Sequence, residues 1–154
     1  MTESIVVPAE PLTTAAFAPF GQVIATGDMA MELRDGEQFA LNVLSYDHRP
    51  LVCDHLNRHH KATQALVALA GRPTLIVVAP PELDFSSREH LTGLRAFVCD
   101  GTAGVNLARS TWHWGPYPLM DHVDLVNVQG KNFSTDNEIA YHERDLGVVV
   151  EVVL

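Results

Sequence analysis

Short runs of apolar and β-branched residues, each closed by a turn signal, recur along most of this chain. They fall at 22–25, 39–44, 64–69, 74–79, 94–99, 105–107, 111–114, 123–128 and 147–153. Residues of these types fit a pleated, half-buried surface, so each run predicts a strand. Gly71-Arg72-Pro73, Asp100-Gly101 and Gln129-Gly130 are turn sequences between them. Closely spaced short strands with little helix predict an all-β sandwich or barrel. One short helix is predicted where Thr13-Thr14 caps the apolar turn before Pro19, and another over 86–91, after the Pro80-Pro81 turn. Residues 132–145 are the longest polar segment and read as a loop, either a lid or a plain connection.

Leu75-Ile76-Val77-Val78-Ala79 is apolar at every position, the pattern of an interior strand covered on both faces. The run 64–69 differs, because Gln64 interrupts it at its entrance. With 154 residues, 47% of them hydrophobic, the chain can bury a sizeable core and is expected to form a single domain over 1–154. Ten basic against nineteen acidic residues give a net charge of -9, which repels a phosphate backbone unless cations gather on one face. No basic run gathers them, so no nucleic-acid partner is expected. No apolar stretch approaches the ~18 residues that cross a bilayer, and MTESIVVPAEPLTT has no basic head before an apolar segment. The expectation is a cytoplasmic protein with no membrane partner. Cys53 and Cys99 then read as reduced, buried thiols, with a single disulfide as the alternative.

The chemistry-bearing side chains collect in two stretches. In the first, His59 is followed by four residues, Gln64, six residues and Gly71; in the second, Ala108, Ser110 and His113 are separated by one and two residues. This spacing resembles the two site motifs of a cupin barrel. Those motifs usually read His, one residue, His, three or four residues, Glu, six residues, Gly; then Pro, one residue, Gly, two residues, His. The chain keeps the frame but has Asn57 for the first His, Gln64 for the Glu, and Ala108 and Ser110 for the Pro and Gly. The frame implies a cupin-type double-stranded β-helix, or β-barrel, with a few short helices. The substitutions argue against a full metal site, because a transition ion takes three or four His or carboxylate ligands and a neutral amide is a weak donor. The cofactor stays open between none and a weakly held divalent metal on His59, Gln64 and His113.

Strand alternation puts Thr111 and His113 on one face and Trp112 and Trp114 on the other. If Gln64 points inward too, then Gln64, His59 or His60, and His113 converge at one barrel mouth, where small-molecule sites are usually found. The competing reading makes His113 a core histidine satisfied by a backbone carbonyl. His59 and His60 are adjacent, so one of them at most joins a common site and the other is solvated. His48, His55, His90, His122 and His142 stand in polar or turn-like contexts and read as surface histidines. Arg58, Lys61 and Arg109 flank the motifs, where they favour a small anionic substrate such as a carboxylate or serve as solvated rim residues. Asp136 and Glu138 could supply an acid or base if the polar segment closes over the pocket.

NRHHKATQALVALAGRPTLIVVAPP, LRAFVCDGTAGVNLARSTWHW and VDLVNV, together with the opening PLTTAAFAPFGQVI, resemble the ureidoglycolate lyase family, called ureidoglycolate hydrolase in older usage. The resemblance covers most of the chain in the same order. It implies a cupin-type homodimer acting in purine-derived ureide (allantoin) breakdown by splitting ureidoglycolate into glyoxylate and urea. The matching positions are Arg58, His59, Gln64, Asn106, Arg109, Trp112 and His113. Such a cleavage needs a base for the hydroxyl proton and an acid for the departing nitrogen, and histidine suits both. On this reading His113 is base or acid and His59 its partner or a weak metal ligand. Arg58 and Arg109 anchor the carboxylate with Lys61 beside them, Gln64 orients the substrate, and Asn106 joins the binding set. Family members usually carry Glu, Pro, Tyr-His and a second His where this chain has Asn57, His60, Leu107-Ala108 and Trp114. Those departures keep two alternatives open: a cupin-fold binding or regulatory module whose catalytic site has decayed, and a different lyase, isomerase or hydrolase on the same scaffold.

Overall fold

The structure, a computed structural model, describes residues 1–154. Its strands are β1 (Glu3–Pro11), β2 (Gly21–Ile24), β3 (Phe39–Asp47), β4 (Val52–Cys53), β5 (Leu56–His59), β6 (Gln64–Ala68), β7 (Thr74–Ala79), β8 (Arg95–Cys99), β9 (Gly104–Leu107), β10 (Trp112–Pro118), β11 (His122–Gly130), β12 (Asn137–Ala140) and β13 (Val148–Val153). Helix is confined to α1 (Thr14–Phe17), α2 (His142–Leu146) and two 3-10 turns, Leu69–Gly71 and Arg88–Gly93. The strands make an eight-stranded sheet in the order β12-β5-β10-β7-β8-β1-β13-β4 and a five-stranded sheet in the order β2-β9-β6-β11-β3. The result is an all-β, cupin-type barrel.

β7 shows why the sequence folds this way. All six of its residues are buried, and its alternate side chains serve two cores. Leu75, Val77 and Ala79 join the cluster around Trp112, Tyr117, Phe85 and Val150. Ile76 and Val78 join the cluster between the sheets, with Phe97, Leu66, Val105, Leu107, Phe17 and Phe20. The Phe17, Phe20 and Phe97 rings meet with centroids 5.3 to 5.9 Å apart, an arrangement aromatic pairs favour. This second core plugs one end of the barrel and leaves the other end to the site.

Turn chemistry is as the sequence indicates. Thr13 caps α1 by accepting a hydrogen bond from the Ala16 N–H at 3.1 Å, and the link between β6 and β7 bends through Ala70 and Gly71, both at positive φ. Gly101 has φ +95°, and a Cβ there would run into the Gly71 carbonyl. Two separately legible turns therefore touch, and both need glycine where they meet. Cys53 and Cys99 are free and buried.

Four strands go unannounced in the sequence, one of them β4, a two-residue pairing with β13. β1 has no counterpart among the sequence runs, because Pro8 and Pro11 mask it; its pairing is parallel, to β13 over Glu3–Pro8 and to β8 over Ala9–Pro11. β5 and β12 are also unannounced. They are polar and short, and they pair with each other at the sheet edge, Asn137 with His59 through Ala140 with Leu56. The segment 132–145 is thus only partly loop, since it contains β12 and most of α2. Trp114 follows the expected alternation and packs, half-buried, against the same core as Trp112; the register of β10 shifts only beyond it, before Tyr117.

Candidate active site

The open end of the barrel holds a cavity of about 480 Å³. β3 contributes Leu44 and Tyr46, β5 Asn57 and His59, β6 Gln64 and Leu66, β10 His113 and Trp114, and β11 Gln129. His55, Phe133, Asn137 and Ile139 complete the wall. No Asp, Glu, Lys or Arg lines it. The structure therefore brings together three of the sequence-selected residues, His59, Gln64 and His113.

His113 is 7% exposed, and its Nδ1 lies 3.1 Å from the Thr111 carbonyl oxygen. A carbonyl only accepts, so Nδ1 carries the proton and Nε2 is left with its lone pair. Burial, reinforced by the neighbouring His59, pushes His113 down to about 4. The ring is neutral at physiological pH. His59, at 5.5 Å between ring centroids, is lowered in the same direction by its own burial, and its Nδ1 is buried without a protein partner. The edge of the Phe133 ring closes over His59 at 6.0 Å.

Gln64 is held by a ladder of amides across the five-stranded sheet. Its Nε2 donates to Asn127 Oδ1 at 2.9 Å, and Asn127 Nδ2 donates to Asn42 Oδ1 at 2.8 Å. The donor end of Gln64 is spent inside the wall, so the oxygen is the end left over, buried and unpartnered. A buried polar atom without a partner is costly, and such atoms cluster where a ligand completes them.

The other sequence-selected residues lie outside the cavity wall. Arg58 stacks on Trp112 at 4.1 Å, pairs with Glu138 and donates to the Pro81 carbonyl at 2.9 Å. Arg109 donates to the His60 carbonyl at 3.2 Å and faces Glu32 at 3.5 Å. Asn106 donates to Gln22 Oε1 and the Ala30 carbonyl, bracing the loop that precedes β3. The Lys61 N–H, like that of His60, donates to Asp136. His60 turns away from the cavity to meet Ser110 Oγ at 2.7 Å and Glu138 at 3.3 Å. Asp136 and Glu138 do not face the cavity; they fasten the strap that carries Phe133, Asn137 and Ile139 across it.

Several contributors escaped sequence reasoning. His55 lines the cavity instead of standing on the surface. His142 is buried, 1% exposed, and makes a 2.7 Å contact with the Val148 carbonyl. Glu37 anchors the start of the strap, its carboxylate accepting from the Gln38 and Asn132 backbones and from Asn132 Nδ2. These hydrogen bonds hold it below the usual carboxylate range. None of these residues falls in a spaced motif or in a strand; Glu37 and His55 sit in connections beside strands and His142 opens α2. Toward a divalent ion the wall offers three imidazoles and the Gln64 oxygen, but His55 is not grouped with His59 and His113, and no three His, Cys or carboxylate side chains converge to hold one. That donor set does not fit a structural or catalytic transition-metal site.

A family model described as ureidoglycolate lyase matches residues 40–151, which contain every residue of the cavity wall. The ureidoglycolate lyase of Burkholderia mallei (strain NCTC 10229) is 35% identical over 153 residues, covering 83% of this chain and 86% of its own. That of Pseudomonas syringae pv. tomato is 32% identical over 162 residues, 92% of this chain and 93% of its own. That of Azotobacter vinelandii is 35% identical over 162 residues, with coverages of 86% and 95%.

Proposed function

The chain belongs to the ureidoglycolate lyase family, and on that premise we propose that it splits ureidoglycolate into glyoxylate and urea in the cavity of His59, Gln64 and His113. The reaction turns a carbinol carbon into a carbonyl as the C–N bond breaks. A base must take the hydroxyl proton while the departing nitrogen gains one. His113 is the base: its Nδ1–H is committed to the Thr111 carbonyl, so Nε2 is the accepting atom. His59 stands beside it at 5.5 Å between ring centroids with its Nδ1 open to the substrate, and the free oxygen of Gln64 takes an N–H of the ureido group. In a wall without cations, the amides of Asn57, Gln129 and Asn137 meet the substrate carboxylate. Arg58, Lys61 and Arg109 act from behind the wall, by holding the strap and the loops that shape it.

The observation that carries this reading is the pair of neutral imidazoles, His113 buried and His59 half-buried, sharing one cavity with an unpartnered amide oxygen. The decayed-module alternative loses its main support. Leu107 packs into the core between the sheets and Ala108 is exposed, so neither replaces a polar group of the main wall. Of the five departures only Asn57 and Trp114 line the cavity. Glyoxylate release from ureidoglycolate by the purified protein, with and without chelator, is the test. Turnover that persists with chelator is expected, and no turnover beside an active family control would overturn the assignment.

The same reading places the enzyme in the breakdown of purine-derived ureides and in a reducing cytoplasm, which suits its two free, buried thiols. It also makes the protein a homodimer. β3 is an edge strand whose outer face exposes Leu41 and Val43 at 69% and 55%. An apolar outer face on an unpaired edge is a surface that a second copy would cover.

A further inference from the structure

The cleavage moves one proton from the hydroxyl to the departing nitrogen, and with His113 taking the first as base, a separate group is needed to give the second as the C–N bond breaks. His59 and His113 are both held neutral, and His113 presents only a lone pair. An acid must come from elsewhere in the wall. The lining holds no carboxylic acid, lysine or arginine; its remaining proton-bearing candidates are Tyr46, whose phenol is pushed further above neutrality by burial, and His55, the one further imidazole.

His55 has the surroundings of a proton donor. Its Nδ1 lies 2.5 Å from Asp54 Oδ1. A carboxylate only accepts, so Nδ1–H points at Asp54, and the ring's other nitrogen makes no protein hydrogen bond. The ring packs against Trp114 at 4.0 Å between centroids and against Tyr141 at 6.0 Å. Its side chain is 23% exposed, so it reaches both the cavity and water. That is the position from which a group can give a proton to a product and collect another from solvent.

We propose that His55 is the general acid of this site, with Asp54 as the positioning residue that fixes its tautomer. The inference rests on the proposed cleavage of ureidoglycolate. The balance closes as follows. His113 Nε2 removes the hydroxyl proton, the O–H electron pair becomes the second C–O bond, and the C–N pair leaves on the urea nitrogen. That nitrogen takes the Nε2 proton of the His55 imidazolium, giving neutral urea. One proton has entered at His113 and one has left from His55, and exchange with solvent resets both.

The experiment is glyoxylate release by wild type, His55→Gln, His55→Ala and Asp54→Asn, each with a thermal melt. His55→Gln, which keeps a polar side chain of similar reach, is expected to lose kcat by about 10²-fold or more with KM little changed. His55→Ala is expected to lose as much and to regain turnover when free imidazole is added, a rescue that a merely structural role does not allow. Asp54→Asn is expected to fall between wild type and His55→Gln. Wild-type kcat in His55→Gln overturns the inference and leaves the proposed function standing. A loss that tracks a lowered melting temperature and resists imidazole also overturns it. No turnover by the wild type overturns the proposed function, and the inference falls with it.

Discussion

At His113 a single hydrogen bond decides the chemistry. The Thr111 carbonyl takes the Nδ1 proton, so the ring can only accept at the cavity. His113→Ala removes that acceptor and is expected to lower glyoxylate release by about 10²- to 10⁴-fold, with the thermal melt confirming that the barrel persists. The spacing of His59, Gln64 and His113 was legible in the sequence because strand alternation and two short motifs determine which of these side chains share a face. The partners that set their state were not. Asn127 and Asn42 reach Gln64 only through the register of β11 with β6 and β3, and His55 reaches the cavity from the connection between β4 and β5, against Trp114 of β10. Local sequence carries periodicity; it does not carry which distant strand lies alongside.

Among the elements, the strap is held by identifiable polar groups. Asp136 accepts from the N–H groups of His60 and Lys61 at 2.9 and 2.8 Å, and β12 adds four paired positions to β5. Asp136→Ala leaves those two donors to water. Amide hydrogen exchange at His60 and Lys61 is expected to quicken by roughly tenfold while that of β7 stays unchanged, a loss of about 1 kcal/mol per bond. The contact of the two turns at Gly71 and Gly101 gives the opposite case, a tight joint at the closed end of the barrel. Gly101→Ala meets a backbone carbonyl at a positive φ, and is expected to cost about 2–4 kcal/mol, read from the shift of the denaturation midpoint. β7 and its turns were legible because every residue in them obeys one local rule. β1, β5 and β12 were not, since prolines or polar residues hide strands that exist only by pairing with others.

For the whole molecule, buried neutral histidines link stability to pH. The unfolded chain takes up the His113 proton near 6.5, while the folded one holds out to about 4. Between those values the unfolded state binds more protons, so stability falls as pH drops from 6.5 toward 4, by up to about 3 kcal/mol for this residue. His59 and His142, both lowered first of all by burial, act in the same direction. Urea denaturation is expected to show a lower midpoint at about pH 5 than at about pH 7.5, and His113→Ala should flatten part of that slope. Oligomeric state is a second whole-molecule test. Leu41→Lys with Val43→Lys on the outer face of β3 is expected to turn a dimer into a monomer by light scattering, leaving the melt of the barrel in place.

β5 is four residues long and meets β10 at the single pair Asn57 with His113, while its other edge carries β12. The imidazole of His59, the backbone partner of the base His113 and the door over both hang from the same post. Any substitution that tilts the post to widen the entrance also moves the rings behind it, so a change in the size of substrate admitted is expected to bring a change of rate with it.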